Sequence, residues 1–391
     1  MDRHYDAIVV GAGPGGAATA LTLARAGARV ALLDRATFPR DKTCGDLLGT
    51  WAIGLLRRLR IDPARFAPWP ALHGAILHTP NGRTIGADVA RGRGDEGRFG
   101  RLDARVVPRH ALDAILVDEA RRAGATLLHA GATALLRDGQ GAVCGVRVVG
   151  PDGDGELRAP LTIGADGWTS IVARGLGLAH GARRERGVAA RIYVRGAHGL
   201  ANRMHFFVMG PGQGYGWVFP LPDGGANVGL GLVADEPGAE RLAALLERFL
   251  RDPASPASPL LAAATPLGAA RSWPLAFGWR GTPLSAAGVL LVGDAGSLVS
   301  PLSGSGIHSA LASGISAGRV AAHALRGGDT SARALRAHDR HCHRLLGRRL
   351  QLEGWAQSRL RDPAAFDRFG QLVARIPGGQ RVLAPLLLNL G

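Results

Sequence analysis

Lysine is almost missing from this chain: among 47 basic residues in 391, Lys42 is the only lysine, so a formal charge of +16 rests on arginines scattered along the sequence. No arginine stripe with interleaved aromatics and no nucleic-acid motif accompanies that charge, so nucleic acid is not an expected partner. The pattern reads as a bias towards Arg, Ala and Gly. Cysteine is scarce too. Cys44, Cys144 and Cys342 are far apart and odd in number, which leaves neither a disulfide framework nor a CxxC metal site and points to a reducing compartment. No uninterrupted apolar run reaches the roughly 18 residues that span a bilayer. The polar start, Met1 to Asp6, runs straight into a strand with no room for a signal segment, and a cytoplasmic protein is expected. Val382 to Leu390 is apolar enough to touch a membrane surface, although a docked terminal segment is the blander reading. His338, His341 and His343 lack acids or cysteines at ligand spacing, so a solvated basic helix is expected there and no metal.

What the chain does have begins at once. Tyr5 to Val10 reads as a buried strand, Gly11 to Gly16 as a glycine turn, Ala17 to Ala26 as a helix and Arg29 to Asp34 as the next strand. Gly11, Gly13 and Gly16, with Pro14 and Gly15 between them, form G-x-G-x-x-G in the strand–turn–helix context that makes the pattern specific. The glycines let the backbone approach a pyrophosphate, whose charge then sits at the positive end of a helix. Asp34, followed by Arg35, ends the second strand at the distance suited to a ribose hydroxyl.

Further along, short strand-like pieces flank Pro80-Asn81-Gly82, and Arg109 to Ala123 returns to helical spacing until Gly124 stops it. Leu127 to Leu136 and Cys144 to Val149 read as strands around a glycine-rich hairpin, and Leu161 to Ile163 leads into Gly164-Ala165-Asp166-Gly167. Alternating runs between Gly187 and Leu232 suggest an antiparallel sheet. Asp252 to Pro266, rich in Pro, Ala and Ser, reads as a loop. Val289 to Val292 is a further apolar strand, followed by Gly293-Asp294 and a small-residue helix from about Gly306 to Leu325. No internal repeat is present.

Five further segments decide which nucleotide the glycine turn serves. Phe38-Pro39-Arg40-Asp41-Lys42-Thr43-Cys44-Gly45-Asp46, then Arg109 with Leu112 and Asp113, then Asp166-Gly167 and Gly293-Asp294-Ala295 occur in order, with Pro301-Leu302-Ser303-Gly304-Ser305-Gly306-Ile307 last. Over about residues 1 to 325 the chain resembles the geranylgeranyl reductase family of FAD-dependent oxidoreductases, within the hydroxybenzoate-hydroxylase-like flavoproteins. The resemblance implies an α/β fold. A discontinuous glutathione-reductase-like Rossmann FAD domain (residues 1–71, 98–185 and 285–330) joins an antiparallel-sheet substrate domain (72–97 and 186–284) and a helical C-terminal region (331–391). It also implies that Cys44, Gly45 and Asp46 lie along the flavin with Arg40 and Lys42 balancing charge, that Arg109 contacts the cofactor, and that Asp294 meets the ribityl chain. The helix beginning near Gly306 and Ile307, after Pro301 and Gly304, would aim its amides at the N1 and C2 oxygen edge of the ring. Leu47 stands where the family has glycine, and is expected to add bulk near the ring. No second G-x-G-x-x-G unit appears, so electrons arrive from a docked nicotinamide, a ferredoxin or a deazaflavin, among which the sequence does not choose.

Tyr215-Gly216-Trp217-Val218-Phe219-Pro220 and Asn227-Val228-Gly229-Leu230-Gly231 resemble the reductases' Y-x-W-x-F-P and N-V-G-x-G elements. Alternation puts Tyr215, Trp217 and Phe219 on one face, a wall for an apolar isoprenoid or polyene or an ordinary sheet core. The expected reaction is reduction of C=C bonds by hydride transfer from flavin N5, with Cys44, Tyr215 and Trp217 as the catalytic candidates and Cys44, Tyr215 or a water supplying the proton. The alternative is a monooxygenase, a hydroxylase or epoxidase working through a flavin hydroperoxide. Halogenation ranks third, because flavin halogenases need a free active-site lysine and Lys42 belongs to the cofactor motif. A purely structural flavin is disfavoured by the retention of Cys44 to Asp46 and Pro301 to Gly306.

Overall fold

The computed structural model describes residues 4–80, 82–88, 103–151, 153–178, 186–209, 214–233, 239–277, 279 and 281–360, with 362, 365 and 368. Val382 to Leu390 lies outside them. Ala7–Val10 is buried along its whole length, as a strand covered on both faces must be, and forms the middle of a six-stranded sheet. Val30–Asp34 and Thr126–His129 follow on one side, and Leu161–Gly164 and Val289–Leu291 on the other, all parallel. The short edge strand Ser285–Ala286 is antiparallel. The strands of this sheet come from distant stretches of sequence, so the sheet is discontinuous in the chain.

The helix Pro14–Arg25 starts on Pro14, where its missing N–H is tolerated. It packs closely along the helix Ile307–Gly327, because both present small residues at the contact. A Cβ at Gly314 would lie 2.4 Å from the Gly15 carbonyl oxygen, and Thr19 Oγ1 donates to Gly314 O at 3.1 Å. This close pair brings two helix N-termini to the same end of the sheet. The apolar clusters on the two faces of the sheet include Leu21, Leu32, Leu112 and Leu311 on one and Ile8, Leu33, Val146 and Leu291 on the other.

The second large sheet has eight strands and runs Thr265–Pro266, Arg186–Arg195, Gly225–Val233, Tyr215–Pro220, Arg203–Val208, Gly74–His78, Thr84–Asp88, with Arg271–Ala276 also paired to Arg186–Arg195. It is antiparallel except for Arg203–Val208 against Gly74–His78, which are parallel. One face carries Val218, Val228 and Leu230 under the helix Ala239–Arg251, and the other carries Met204, Phe206, Trp217 and Phe219, packed with Leu47 and Val106.

Three expectations change. The run Leu127 to Leu136 is two strands: Ala130 N donates to Asp34 O at 3.0 Å, and Gly131–Arg137 then leaves for a separate three-stranded sheet. Asp252 to Pro266 contains the short helix Ser258–Leu261, anchored by Leu261 in the core, and the strand Thr265–Pro266. His338 is not solvated. It is fully buried between Ser316 Oγ at 3.0 Å and Leu291 O at 2.9 Å, which makes it a packed and satisfied core histidine.

Candidate cofactor and substrate cavity

The C-terminal ends of the parallel strands face the aromatic side of the eight-stranded sheet across a cavity of about 960 Å³. Gly11, Gly13, Pro14 and Gly15 line it at one end, with Asp34 and Arg35 beside them. Gly11 has φ 97°, and a Cβ there would meet Ala165 O at 2.4 Å, so the first turn lies directly against the Ala165–Gly167 segment. Gly16 does not line the cavity. A Cβ there would lie 1.8 Å from Gly11 O, which makes Gly16 a requirement of the turn itself.

Two guanidinium groups flank the turn. A Cβ at Gly13 would be 3.8 Å from both Arg109 Nη2 and Arg40 Nη2. Arg109, at the start of its helix, forms a bidentate pair with buried Asp113 at 2.7 and 2.6 Å, and Arg40 reaches the same carboxylate at 2.9 Å. Burial works against the Arg109 charge, but Asp113 more than offsets it and holds the guanidinium above its ordinary range. Arg40 Nη2 also lies 3.6 Å from Asp34 Oδ2, so two guanidinium groups, held by Asp113 and Asp34, sit beside the glycine turn where they would meet an anion. Asp34 accepts from Ala12 N at 3.0 Å and Ala36 N at 2.9 Å, so it also braces the turn.

The segment Lys42 to Gly45 runs along the cavity wall. Lys42 Nζ lies 3.7 Å from Asp294 Oδ2 and 5.1 Å from the centre of the Trp273 ring. Cys44 Sγ accepts from Asp46 N at 3.3 Å, and burial, with the Asp46 charge, pushes its thiol pKa up. Asp46 itself turns away from the cavity, unlike Cys44 and Gly45. Leu47 does too. It pairs with Val106 and packs with Leu72, Met204 and Phe206, so its bulk enters the core rather than the cavity.

Asp166, Gly167, Gly293, Asp294, Pro301, Gly304, Gly306 and Ile307 all line the cavity. Asp166 uses its carboxylate to accept from Ser170 Oγ and Ile171 N, which fixes the loop it sits in. The 21-residue helix Ile307–Gly327 points its N-terminus at the cavity.

Tyr215, Trp217 and Phe219 line the cavity together, with Leu232, Leu275 and Phe277 extending the apolar wall. Tyr215 donates its hydroxyl to Ser303 O, and burial pushes its pKa up. Trp217 donates Nε1–H to Asn227 Oδ1 at 2.9 Å. Sequence reasoning missed Gln357, which lines the cavity and donates to Pro301 O from the helix Arg348–Leu360. A glutamine in an arginine-rich tail gives no signal of that contact. It also missed Trp273 and Arg271, lining residues on a strand whose partner lies about 80 residues away in sequence.

A family model described as FAD binding domain matches residues 4–350. The digeranylgeranylglycerophospholipid reductase 2 of Methanopyrus kandleri is 34% identical over 349 residues, covering 86% of this chain and 81% of that protein. The chain belongs to this geranylgeranyl reductase family of FAD-dependent oxidoreductases. The menaquinone reductase of Mycolicibacterium smegmatis is 32% identical over 348 residues, covering 84% of this chain and 78% of that protein. The solved geranylgeranyl bacteriochlorophyll reductase-like protein from Thermoplasma acidophilum superposes with a TM-score of 0.86 at 24% identity, over 99% of this chain and 96% of that one, which shows the shared fold. FAD is thus the cofactor of this oxidoreductase. Glycines that leave no room for a Cβ, with two guanidinium groups at the turn, suit its pyrophosphate. No helix among the described residues is long and apolar enough to cross a membrane, and no group of three or more His, Cys, Asp or Glu among them could hold a metal.

Proposed function

We propose that this flavoprotein reduces C=C bonds of an isoprenoid or polyene-like molecule. The observation that carries the reading is the apolar wall of Trp217, Phe219, Leu232, Leu275 and Phe277 facing the Cys44–Gly45 segment across one cavity. The relatives named as reductases of a digeranylgeranylglycerophospholipid and of menaquinone support it. In this reading residues 1–71, 98–185 and 285–330 hold FAD, 72–97 and 186–284 hold substrate, and the helices after 330 close the cavity through Gln357. Gly11, Gly13, Pro14 and Gly15 hold the pyrophosphate with Arg40 and Arg109, Asp34 and Arg35 the ribose, and Asp294 the ribityl chain. Lys42 to Gly45 and Pro301 to Ile307 bracket the ring, and Asp166 and Gly167 complete its wall.

Bound and reduced, FAD supplies a hydride equivalent for one alkene carbon. The residues of the chain do the rest. Trp217 and Phe219 orient the alkene and exclude water. Cys44 supplies the proton for the other carbon: its raised pKa keeps the thiol protonated, and Sγ accepts from Asp46 N, leaving the S–H to turn towards the cavity. Tyr215 is assigned a different task. Its proton is committed to Ser303 O, so it ties the substrate sheet to the Pro301–Gly306 loop. Lys42, engaged with Asp294 and Trp273, is poorly placed to carry a hypohalous species.

The test is anaerobic. Holoenzyme reduced with dithionite is mixed with prenyl and polyene candidates, and flavin reoxidation is followed by stopped-flow absorbance alongside the mass of the product. Reoxidation with two hydrogens added to the substrate is the expected result. No anaerobic reoxidation by any candidate, together with a persistent spectrum that is neither oxidised nor reduced FAD on mixing with oxygen, would replace this reading with oxygenation.

A further inference from the structure

Asp46 differs from its neighbours in the flavin-facing segment. Cys44 and Gly45 line the cavity, whereas Asp46 has φ 63° and a fully buried side chain directed into the protein. That backbone region is disfavoured for a residue with a Cβ, so its partners must hold it there. Three donors converge on the carboxylate: Tyr193 Oη at 2.6 Å and Asn227 Nδ2 at 2.8 Å, both on Oδ2, and Arg109 N at 3.3 Å on Oδ1. The same Asn227 Nδ2 donates to Cys44 O at 2.8 Å, and Asn227 Oδ1 accepts from Trp217 Nε1 at 2.9 Å. An indole nitrogen only donates, so the Trp217 bond fixes which end of the Asn227 amide faces Asp46. One carboxylate therefore governs, through one amide, both the Cys44 backbone and the Trp217 ring.

We propose that Asp46 is a positioning residue that holds Cys44 and Trp217 at the flavin face of the cavity most tightly while its carboxylate is ionised. Protonation on Oδ2 would displace Tyr193 or Asn227, and protonation on Oδ1 would set the new hydrogen against Arg109 N and leave Oδ2 a neutral acceptor that holds Tyr193 and Asn227 less tightly. The titratable and charged groups around it are Tyr193 and Arg191 on the strand Arg186–Arg195, Arg109 at its helix start, and Cys44 on its own segment. Burial and the neighbouring Asp46 charge push Tyr193 up, so it stays a donor, and Arg109 stays charged through Asp113. Arg191 is paired with Asp41 and stacks 4.0 Å from the centre of the Tyr193 ring. Asp46 is the member that titrates near neutrality: burial raises it to about 6, against the hydrogen bonds from Tyr193 and Asn227 and the charges of Arg191 and Arg109.

The inference rests on the reading that FAD lies against Lys42 to Gly45, and the experiment separates the two. Substrate-free holoenzyme is titrated from about pH 5 to about pH 8 while the visible flavin bands and the near-UV circular dichroism are recorded. Wild type should show one single-proton transition near pH 6 in both signals. The transition should be lost in Asp46→Asn, and moved to higher pH in Tyr193→Phe, where the charged form loses a donor. Flavin bands and near-UV signal both flat in wild type, or a transition that survives Asp46→Asn, would overturn the proposal. If Asp46→Asn does not fold, a Tyr193→Phe titration identical to wild type would overturn it equally. A near-UV transition that spares the flavin bands would uphold the Asp46–Trp217 lock and overturn the placement of FAD.

Discussion

Gly229 and Gly231 alternate on the strand Gly225–Val233 beneath the aromatic wall, and adding one methyl at each should have opposite consequences. A Cβ at Gly229 would lie 2.2 Å from Trp217 Cζ2 and 2.4 Å from Ala190 O, distances that no packing tolerates. Trp217 is 4% exposed and pinned by Asn227, so it cannot swing aside and keep its hydrogen bond. Overpacking of this kind costs about 1–3 kcal/mol. Leaving the indole N–H and the amide oxygen unpaired adds about 1–3 kcal/mol. With an unfolding entropy of about 2 cal/mol/K per residue over 391 residues, a loss of about 3 kcal/mol lowers Tm by roughly 4 °C. At Gly231 the nearest atoms to a Cβ are Trp217 Cζ3 and Tyr215 Cε1, both at 3.8 Å, an ordinary contact. Gly231 lines the cavity, so that methyl takes space from the substrate instead. Gly231→Ala should keep its Tm and FAD content and change kcat/KM by about tenfold or more, the range of one misplaced methylene in an apolar pocket. The assay is thermal unfolding of both holoenzymes with steady-state kinetics on the same substrate. A larger fall in Tm for Gly231→Ala than for Gly229→Ala would refute the placement of Trp217 over Gly229.

Asp113→Ala should lower the Tm of the apoprotein more than that of the holoenzyme, since it strands the buried Arg109 charge at a cost of about 3–5 kcal/mol and a bound pyrophosphate would stand in for the lost carboxylate. Equal losses in the two forms would separate Arg109 from the cofactor. Cys44→Ala should retain FAD and lose about 10²-fold in kcat, whereas Tyr215→Phe should weaken the Ser303 anchor with a smaller effect on kcat, as anaerobic turnover would show. Asp46 also makes stability depend on pH. Because its folded pKa is raised from 3.8 to about 6, its favourable contribution is present below about 3.8 and lost as pH rises through about 6, so holding the charge at pH 7 costs about 3 kcal/mol. The Tm of Asp46→Asn should therefore gain on wild type between about pH 4 and about pH 6 and keep that gain at higher pH. A Tm difference independent of pH would contradict the assigned shift.

The parts of this molecule that were legible in its sequence are those whose physics is local. The turn Gly11 to Gly16 needs glycine because its own atoms leave no room, Gly16 against Gly11 O above all, and that demand shows in any sequence that makes the turn. The aromatic wall was legible because a strand alternates its faces, which put Tyr215, Trp217 and Phe219 together wherever the strand packed. Periodicity says which side chains share a face and nothing about what lies opposite. For that reason Gln357 closing over Pro301 and the burial of His338 between Ser316 and Leu291 could not be read from the tail. The same limit explains Leu47 and Asp46. A linear motif places both beside the ring, but Asp46 enters the left-handed region and the next residue joins a strand against Val106, so both side chains leave the cavity. The carboxylate then meets Tyr193 and Asn227, residues 147 and 181 positions away. A buried carboxylate held at a stability cost in a strained backbone is hard to account for by packing alone, because asparagine or glycine would satisfy the segment more cheaply. Ordering the cavity wall is the role that the Asn227 bridge to Cys44 and Trp217 gives the charge under the proposal.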